Sequence, residues 1–134
     1  MDKKTLVIQR DLSKDMEFSG HFLFKELIKK RINIDAAMWF FQSEINEWKY
    51  ILVFDDFSEK GSSYLYEIIS GINRTNISKK YKSIPLNYIE VKSKNSFIYR
   101  NMKGFIRAED GMIRVTNSMV NGFEIYDCLI YRFI

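Results

Sequence analysis

The sequence predicts an α+β fold: a mainly antiparallel sheet with two principal helices and a C-terminal three-stranded meander. Apolar residues recur at the helical period in two separate segments, and aromatic and β-branched residues fill several short runs. The hairpin turn signals Asp110-Gly111 and Asn121-Gly122 divide the last third of the chain. The chain has 134 residues and no visible linker or internal repeat, so we expect a single α+β domain over residues 1–134.

The first half of the chain predicts a helix followed by a hairpin. Asp15–Arg31 has acidic residues in its first turn and basic residues in its last, and Ser13 is a candidate N-cap. Asp35–Gln42 and Glu47–Asp55 are rich in aromatic and branched residues and predict two strands joined by a polar turn. Before the helix, Thr5–Arg10 predicts a short strand.

The second half predicts a helix, a strand, a short helix and the meander. Ser62–Asn73 carries a single apolar stripe, Leu86–Lys92 follows the only proline, and Ser96–Met102 predicts a short helix. The three strands of the meander are predicted at Gly104–Glu109, Met112–Val120 and Phe123–Phe133. A two-residue Asn121-Gly122 turn pairs Val120 with Phe123, Thr116 with Asp127 and Arg114 with Leu129.

The last strand is apolar on both faces. Strict alternation assigns Ile125, Leu129, Tyr131 and Phe133 to one face and Tyr126, Cys128 and Ile130 to the other. Such a strand is usually covered on both sides. The helices can supply one cover and a second subunit the other. Adjacent aromatic residues in the first hairpin (Trp39, Phe40 and Phe41, opposite Trp48 and Tyr50) are suited either to the core or to an interface, and we expect a homodimer.

Most catalytic and cofactor-binding signatures are absent from the sequence. It has no phosphate-binding glycine loop and no nucleophile elbow, so we expect no cofactor. The single His21 and the single Cys128 cannot build a zinc site, and we expect them on a helix face and in the core. The longest apolar run, Ala36–Phe41, is far too short to span a membrane, and nothing at the N-terminus resembles a signal peptide. These features favour a cytoplasmic protein.

One group of charged residues offers an enzymatic alternative. Glu90 and Lys92 are two apart on a predicted strand and so share one side of it, and Asp55 closes an earlier strand. Restriction-endonuclease-like nucleases use an Asp and a Glu to hold Mg²⁺ and a Lys to stabilise developing charge. A right-handed crossover from Glu47–Asp55 to Leu86–Lys92 would make the two strands parallel and bring Asp55 and Glu90 to the same end. The competing interpretation is an ordinary solvated charge triplet.

Charge distribution is a stronger signal. Residues 79–107 contain eight basic residues and one acidic residue, a net charge of +7 in a chain whose net charge is +4. The candidate binding residues are Lys79, Lys80, Lys82, Lys92, Lys94, Arg100, Lys103 and Arg107. Aromatic residues interleave with them, as on surfaces that bind single-stranded nucleic acid. The alternative is that the rings point inward and the cations only keep the chain soluble.

Several segments resemble a family of small bacterial cytosolic proteins without an assigned activity. The matching segments are Asp35–Phe40, Glu47–Val53, Glu59–Gly61 with Tyr64, Ile84–Leu86, Val120–Asp127 and Ile130–Arg132. The resemblance implies an α+β fold and a bacterial, cytosolic origin, and it carries over no functional residue.

Together these patterns predict a non-enzymatic binding or regulatory module that engages an acidic partner or nucleic acid. Lysine outnumbers arginine by 14 to 7, as in proteins of a low-GC bacterium or its mobile elements. The metal-dependent nuclease is the alternative.

Overall fold

The part of the chain that the structure describes forms three α-helices and five strands. The computed structural model describes residues 5–54, 57–75 and 81–134. The elements are α1 (Lys14–Lys29), β1 (Ile34–Gln42), β2 (Glu47–Phe54), α2 (Phe57–Thr75), a 3₁₀ turn (Leu86–Tyr88), β3 (Ile89–Lys92), α3 (Phe97–Met102), β4 (Ile113–Val120) and β5 (Phe123–Phe133). The strands form one mixed sheet in the order β3-β2-β1-β5-β4. The predicted α+β class is confirmed. Within the described ranges, no helix has the length and apolar content to cross a membrane.

The C-terminal hairpin has the predicted register. Val120 pairs with Phe123, and the pairings of Thr116 with Asp127 and of Arg114 with Leu129 are also confirmed. The turn residues Asn121 and Gly122 have φ values of 51° and 73°. A tight hairpin turn requires this left-handed backbone at both positions, and Asn and Gly adopt it most readily.

The first hairpin, β1–β2, is held together by aromatic pairs. Trp39 lies opposite Tyr50 and Phe41 lies opposite Trp48. The ring centroids of these pairs are 5.2 and 5.4 Å apart in edge-to-face arrangements, the geometry that aromatic rings prefer. Phe40 points to the other side of the sheet, so aromatic side chains are buried on both faces.

The β2–α2–β3 crossover makes β2 and β3 parallel, as the sequence predicts. α2 begins at Phe57 rather than at Ser62, and Gly61 interrupts it with a φ of 75°. Its predicted apolar stripe buries Leu65, Ile69 and Ile72 against the sheet.

The chain itself covers both faces of the sheet. One face packs under α1 and α2, and the other under α3 and the segment that follows it. Residues buried on the α3 face include Met38, Phe40, Ile51, Val53, Cys128 and Ile130. Burial of the second face of β5 therefore needs no second subunit.

The predicted division of β5 between its two faces is wrong. Ile125 and Phe133 lie on the α3 face, whereas Leu129 and Tyr131 lie under α1. The β1–β5 pairing shifts register and skips Tyr131, and an extra residue in one strand reverses the direction of the side chains beyond it, here Phe133. The reversal at Ile125 lies beside Asn117 of β4, which has a φ of 48° although the β4–β5 register does not shift there.

Three predicted strands are shortened or missing. Gly104–Glu109 forms no strand of the meander, because the chain turns at Gly104 (φ 93°) and makes only two isolated bridges, from Ile106 to Lys103 and from Ala108 to Phe133. Thr5–Arg10 is likewise reduced to a bridge between Thr5 and Ser83. In Leu86–Lys92, the 3₁₀ turn occupies the first three residues and only Ile89–Lys92 is extended.

α1 docks on the sheet through polar as well as apolar contacts. Its predicted N-cap is confirmed, since the Met16 amide donates to the Ser13 side chain at 3.1 Å. Three sheet side chains then donate to carbonyl oxygens of the helix. Trp39 Nε1 donates to Met16 at 2.8 Å, Tyr131 to Glu17 at 2.6 Å and Tyr50 to Gly20 at 2.7 Å.

Gly20 permits this close approach. A Cβ atom at residue 20 would lie 2.6 Å from Trp39 Nε1 and would also clash with the Tyr131 ring. Burial raises the pKa of Tyr50 and of Tyr131 well above the usual range. Their hydroxyls therefore stay protonated and act as donors to the helix.

We expect Gly20→Ala to destabilise the fold. Alanine favours a helix over glycine by about 1 kcal/mol, but overpacking a tight contact costs about 1–3 kcal/mol. The clash involves two rigid rings, so a net loss is expected. Urea unfolding followed by circular dichroism measures it.

Gly71→Ala on α2 is the matched control, because the nearest atom to a Cβ there is 3.9 Å away, in a flexible arginine side chain. We expect it to gain up to about 1 kcal/mol. Equal stabilities for the two variants would contradict the close-packing account.

Candidate functional site

The structure divides the predicted basic segment among several places. Lys79 and Lys80 lie outside the described residues. Lys82 is on the α1 side of the sheet, where its Nζ lies 2.9 Å from the Asp15 carboxylate and its amide donates to Ser19 Oγ. It is therefore on the opposite face of the sheet from α3.

Two lysines at the end of β3 have acidic neighbours. Lys92 Nζ lies 3.4 Å from Glu90, and Lys94 Nζ lies 3.5 Å from Asp35. Binding an anion here would compete with these ion pairs.

The remaining basic residues lie on α3 and the turn after it. Phe97 and Arg100 are three residues apart on the helix and so neighbour each other on its surface. One turn later, Lys103 lines a cavity of about 310 Å³ together with Phe105 and Arg107. We call these five residues (Phe97, Arg100, Lys103, Phe105 and Arg107) the α3 surface.

The α3 surface combines exposed rings with cations that have few acidic neighbours. Phe97 is 69% exposed and Phe105 is 61% exposed. Arg107 lies 3.1 Å from Glu109, but both side chains are largely exposed. Across the described residues, no carboxylate forms an ion pair with Arg100 or Lys103. Lys103 instead lies over the Tyr99 ring.

A groove opens beside the amino-terminal end of α3. Its volume is about 600 Å³, and it lies between α3, the end of β1 with the turn that follows it, and the β4–β5 turn. Phe123 stacks on Phe40 with centroids 5.7 Å apart and contacts Phe97 edge-to-face at 5.5 Å. The three rings give the groove an aromatic wall.

Polar groups line the same groove. Ser96 Oγ is buried, and no hydrogen-bond partner for it exists among the described residues. Gln42 Nε2 donates to Glu90 Oε1 at 3.3 Å, and Glu90 in turn pairs with Lys92. The groove therefore offers a hydroxyl, an amide and the ammonium of Lys92, whose charge Glu90 compensates.

The candidate nuclease residues are only partly placed. Glu90 and Lys92 share one side of β3, as predicted, but they contact each other. Glu90 lies opposite Ile51, in the middle of β2, rather than level with the last described residue of that strand, Phe54. Asp55 lies outside the described residues. Among those that are described, no three His, Cys, Asp or Glu side chains come together as a metal site.

The single cysteine and the single histidine both pack against other parts of the fold. Cys128 is buried, and burial raises the pKa of its thiol to about 12, so the reactive thiolate is suppressed at neutral pH. His21 stacks on Tyr131, and its Nε2 lies 3.8 Å from Asp110. A hydrogen bond from Lys25 is the largest of several contacts that lower the pKa of Asp110.

Comparisons with protein-family models, with curated proteins and with solved structures found no match. The resemblance to small bacterial cytosolic proteins therefore stays a prediction. The sequence carries no signal for the groove, because Gln42, Ser96 and Phe123 come from three separate segments and follow no common spacing. Of the groove residues, the sequence singles out Phe40 and Phe41, in the aromatic first hairpin, and Lys92, in the basic segment.

We expect no Mg²⁺-dependent cleavage of plasmid DNA or RNA by this protein. The Glu90 carboxylate forms an ion pair with Lys92 and accepts a hydrogen bond from Gln42. Among the described residues, no second carboxylate lies beside it to share a metal ion. Gel analysis of nucleic acid incubated with Mg²⁺ measures cleavage, with Glu90→Gln as the control. Cleavage that disappears in a folded Glu90→Gln variant would establish the nuclease instead.

Proposed function

We propose that this protein is a non-enzymatic, cytoplasmic binding module whose α3 surface binds single-stranded nucleic acid. The observation that carries the proposal is the placement of Arg100 and Lys103, which no described carboxylate pairs, between two exposed phenylalanine rings. Cations neutralise phosphates and exposed rings stack on bases.

The exposed rings favour nucleic acid over an acidic protein. The carboxylates of an acidic protein would pair with the cations, but they would give the Phe97 and Phe105 rings nothing to stack on. Stacking of a base on an aromatic side chain is worth about 1–3 kcal/mol and depends little on sequence. We therefore expect binding without strong sequence preference.

Few phosphates can be contacted, so binding should be weak. Arg100 and Lys103 can bind a phosphate without breaking an ion pair to a described carboxylate. Arg107 and Lys92 must first give up their ion pairs with Glu109 and Glu90. With two to four contacts to a single strand, affinity should fall by about 7- to 50-fold between 50 and 200 mM salt. This range separates a small site from an extended basic channel.

Reversing the charges of Arg100 and Lys103, which no described carboxylate pairs, tests the proposed surface. We expect Arg100→Glu with Lys103→Glu to weaken binding of a labelled single-stranded oligonucleotide at least tenfold at 50 mM salt, because attraction to phosphate becomes repulsion. Fluorescence anisotropy measures the affinity.

The matched control is Lys14→Glu with Lys29→Glu, which makes the same change in net charge on exposed positions of α1, across the sheet. It should weaken binding much less. An equal loss in both pairs would indicate attraction by net charge alone, and absence of binding at 50 mM salt would refute the proposal. Binding of polyglutamate as tight as that of the oligonucleotide would point to an acidic protein.

The homodimer is proposed through the outer edge of β4. No other described strand pairs with that edge, and Met119 and Ile113 are 66% and 41% exposed there. β4 contains neither lysine nor proline, the residues that commonly protect an edge strand from pairing. A second copy of β4 could extend the sheet.

Light scattering at micromolar concentration should give about twice the chain mass of 16.0 kDa. Met119→Lys places a charge at the edge and should produce monomers. Phe18→Lys, which replaces an exposed apolar residue on α1, should leave the dimer intact. A monomeric wild-type protein at that concentration would contradict the proposed dimer.

A further inference from the structure

We propose that the groove beside the amino-terminal end of α3 receives one unstacked base of the strand bound at the α3 surface. The inference rests on the proposed function and adds a specific ligand group and its place. Phe97 connects the two regions, because it belongs to the α3 surface and also lines the groove.

The dimensions and wall of the groove suit a base. Its volume of about 600 Å³ lies within the range of small-molecule sites. The Phe123 ring is held between Phe40 and Phe97, which fixes the aromatic wall. Proteins that recognise single strands commonly splay bases out and stack them on aromatic side chains.

The polar lining provides partners for the edge of a base. Buried polar atoms in proteins nearly always have a hydrogen-bond partner, yet Ser96 Oγ has none within the described residues. Gln42 gives one amide hydrogen to Glu90 and retains a second donor for a ligand. A base carries both donors and acceptors on its edge and can use a hydroxyl and an amide together.

Charge fixes the orientation of the strand. The groove is also lined by Glu44 in the β1–β2 turn and by Glu124 beside the β4–β5 turn, and both are exposed. These carboxylates repel phosphates, whereas Arg100 lies one turn from Phe97 on the α3 side. The backbone of the strand therefore follows α3 while a base enters the groove.

The test compares two hexanucleotides with the same phosphates, oligo-dT and a fully abasic strand. Wild-type protein should bind oligo-dT at least about fivefold tighter, because each stacked base contributes a factor of about 5 to 150. Ser96→Leu fills space at the groove wall without changing Phe97 or a cation. It should lower the affinity for oligo-dT toward that for the abasic strand and leave abasic binding unchanged.

Ser70→Leu is the control, since Ser70 lies on α2 across the sheet, and it should retain the preference for oligo-dT. Circular dichroism verifies that both variants are folded.

The binding data distinguish a failure of the α3 surface from a failure of the groove. If wild-type protein binds neither strand, the proposed function and the base site are both wrong. If it binds both strands equally, the cations of the α3 surface still bind the strand, but the base site and the stacking of bases on Phe97 and Phe105 are both wrong. If Ser96→Leu keeps the full preference for oligo-dT, the base is held outside the groove and the inference is overturned.

Discussion

The close contact between α1 and the sheet at Gly20 is the constraint on which the rest of this structure depends. Trp39, Tyr50 and Tyr131 come from three adjacent strands, and each donates to a carbonyl oxygen of the same helix. A buried donor without a partner costs about 1–3 kcal/mol, so these rings require the helix backbone close by. A side chain at residue 20 would hold the helix away from all three donors.

This docking determines which face of the sheet keeps an open groove. α1 and α2 cover one face along most of its length, and the short α3 covers only part of the other. The uncovered part becomes the groove, with Phe97 at its rim. The candidate binding region is thus a consequence of unequal helix lengths on the two faces of one sheet.

Ion pairs with nearby carboxylates determine which of the basic residues can attract an anionic ligand. Along the sequence, residues 79–107 form one positive segment. In the folded chain Lys82 meets Asp15 and Lys94 meets Asp35, although these carboxylates are more than 50 positions away in the sequence. Exposed ion pairs contribute little to stability, but they reduce the charge that a ligand encounters. Arg100 and Lys103, which no described carboxylate pairs, therefore keep the most accessible positive charge of this segment.

The sequence by itself determined the features that depend on near neighbours in the chain. The Ser13 cap, the apolar stripe of α2 and the register at Asn121-Gly122 follow from local backbone chemistry and were predictable. The tertiary structure alone decided the bulge that skips Tyr131, the bridge from Ala108 to Phe133 and the meeting of Gln42, Ser96 and Phe123 in one groove. Each of these depends on contacts between segments far apart in sequence. Such contacts depend on how complete helices and strands pack together in the core, and the spacing of residues within one segment does not specify that packing.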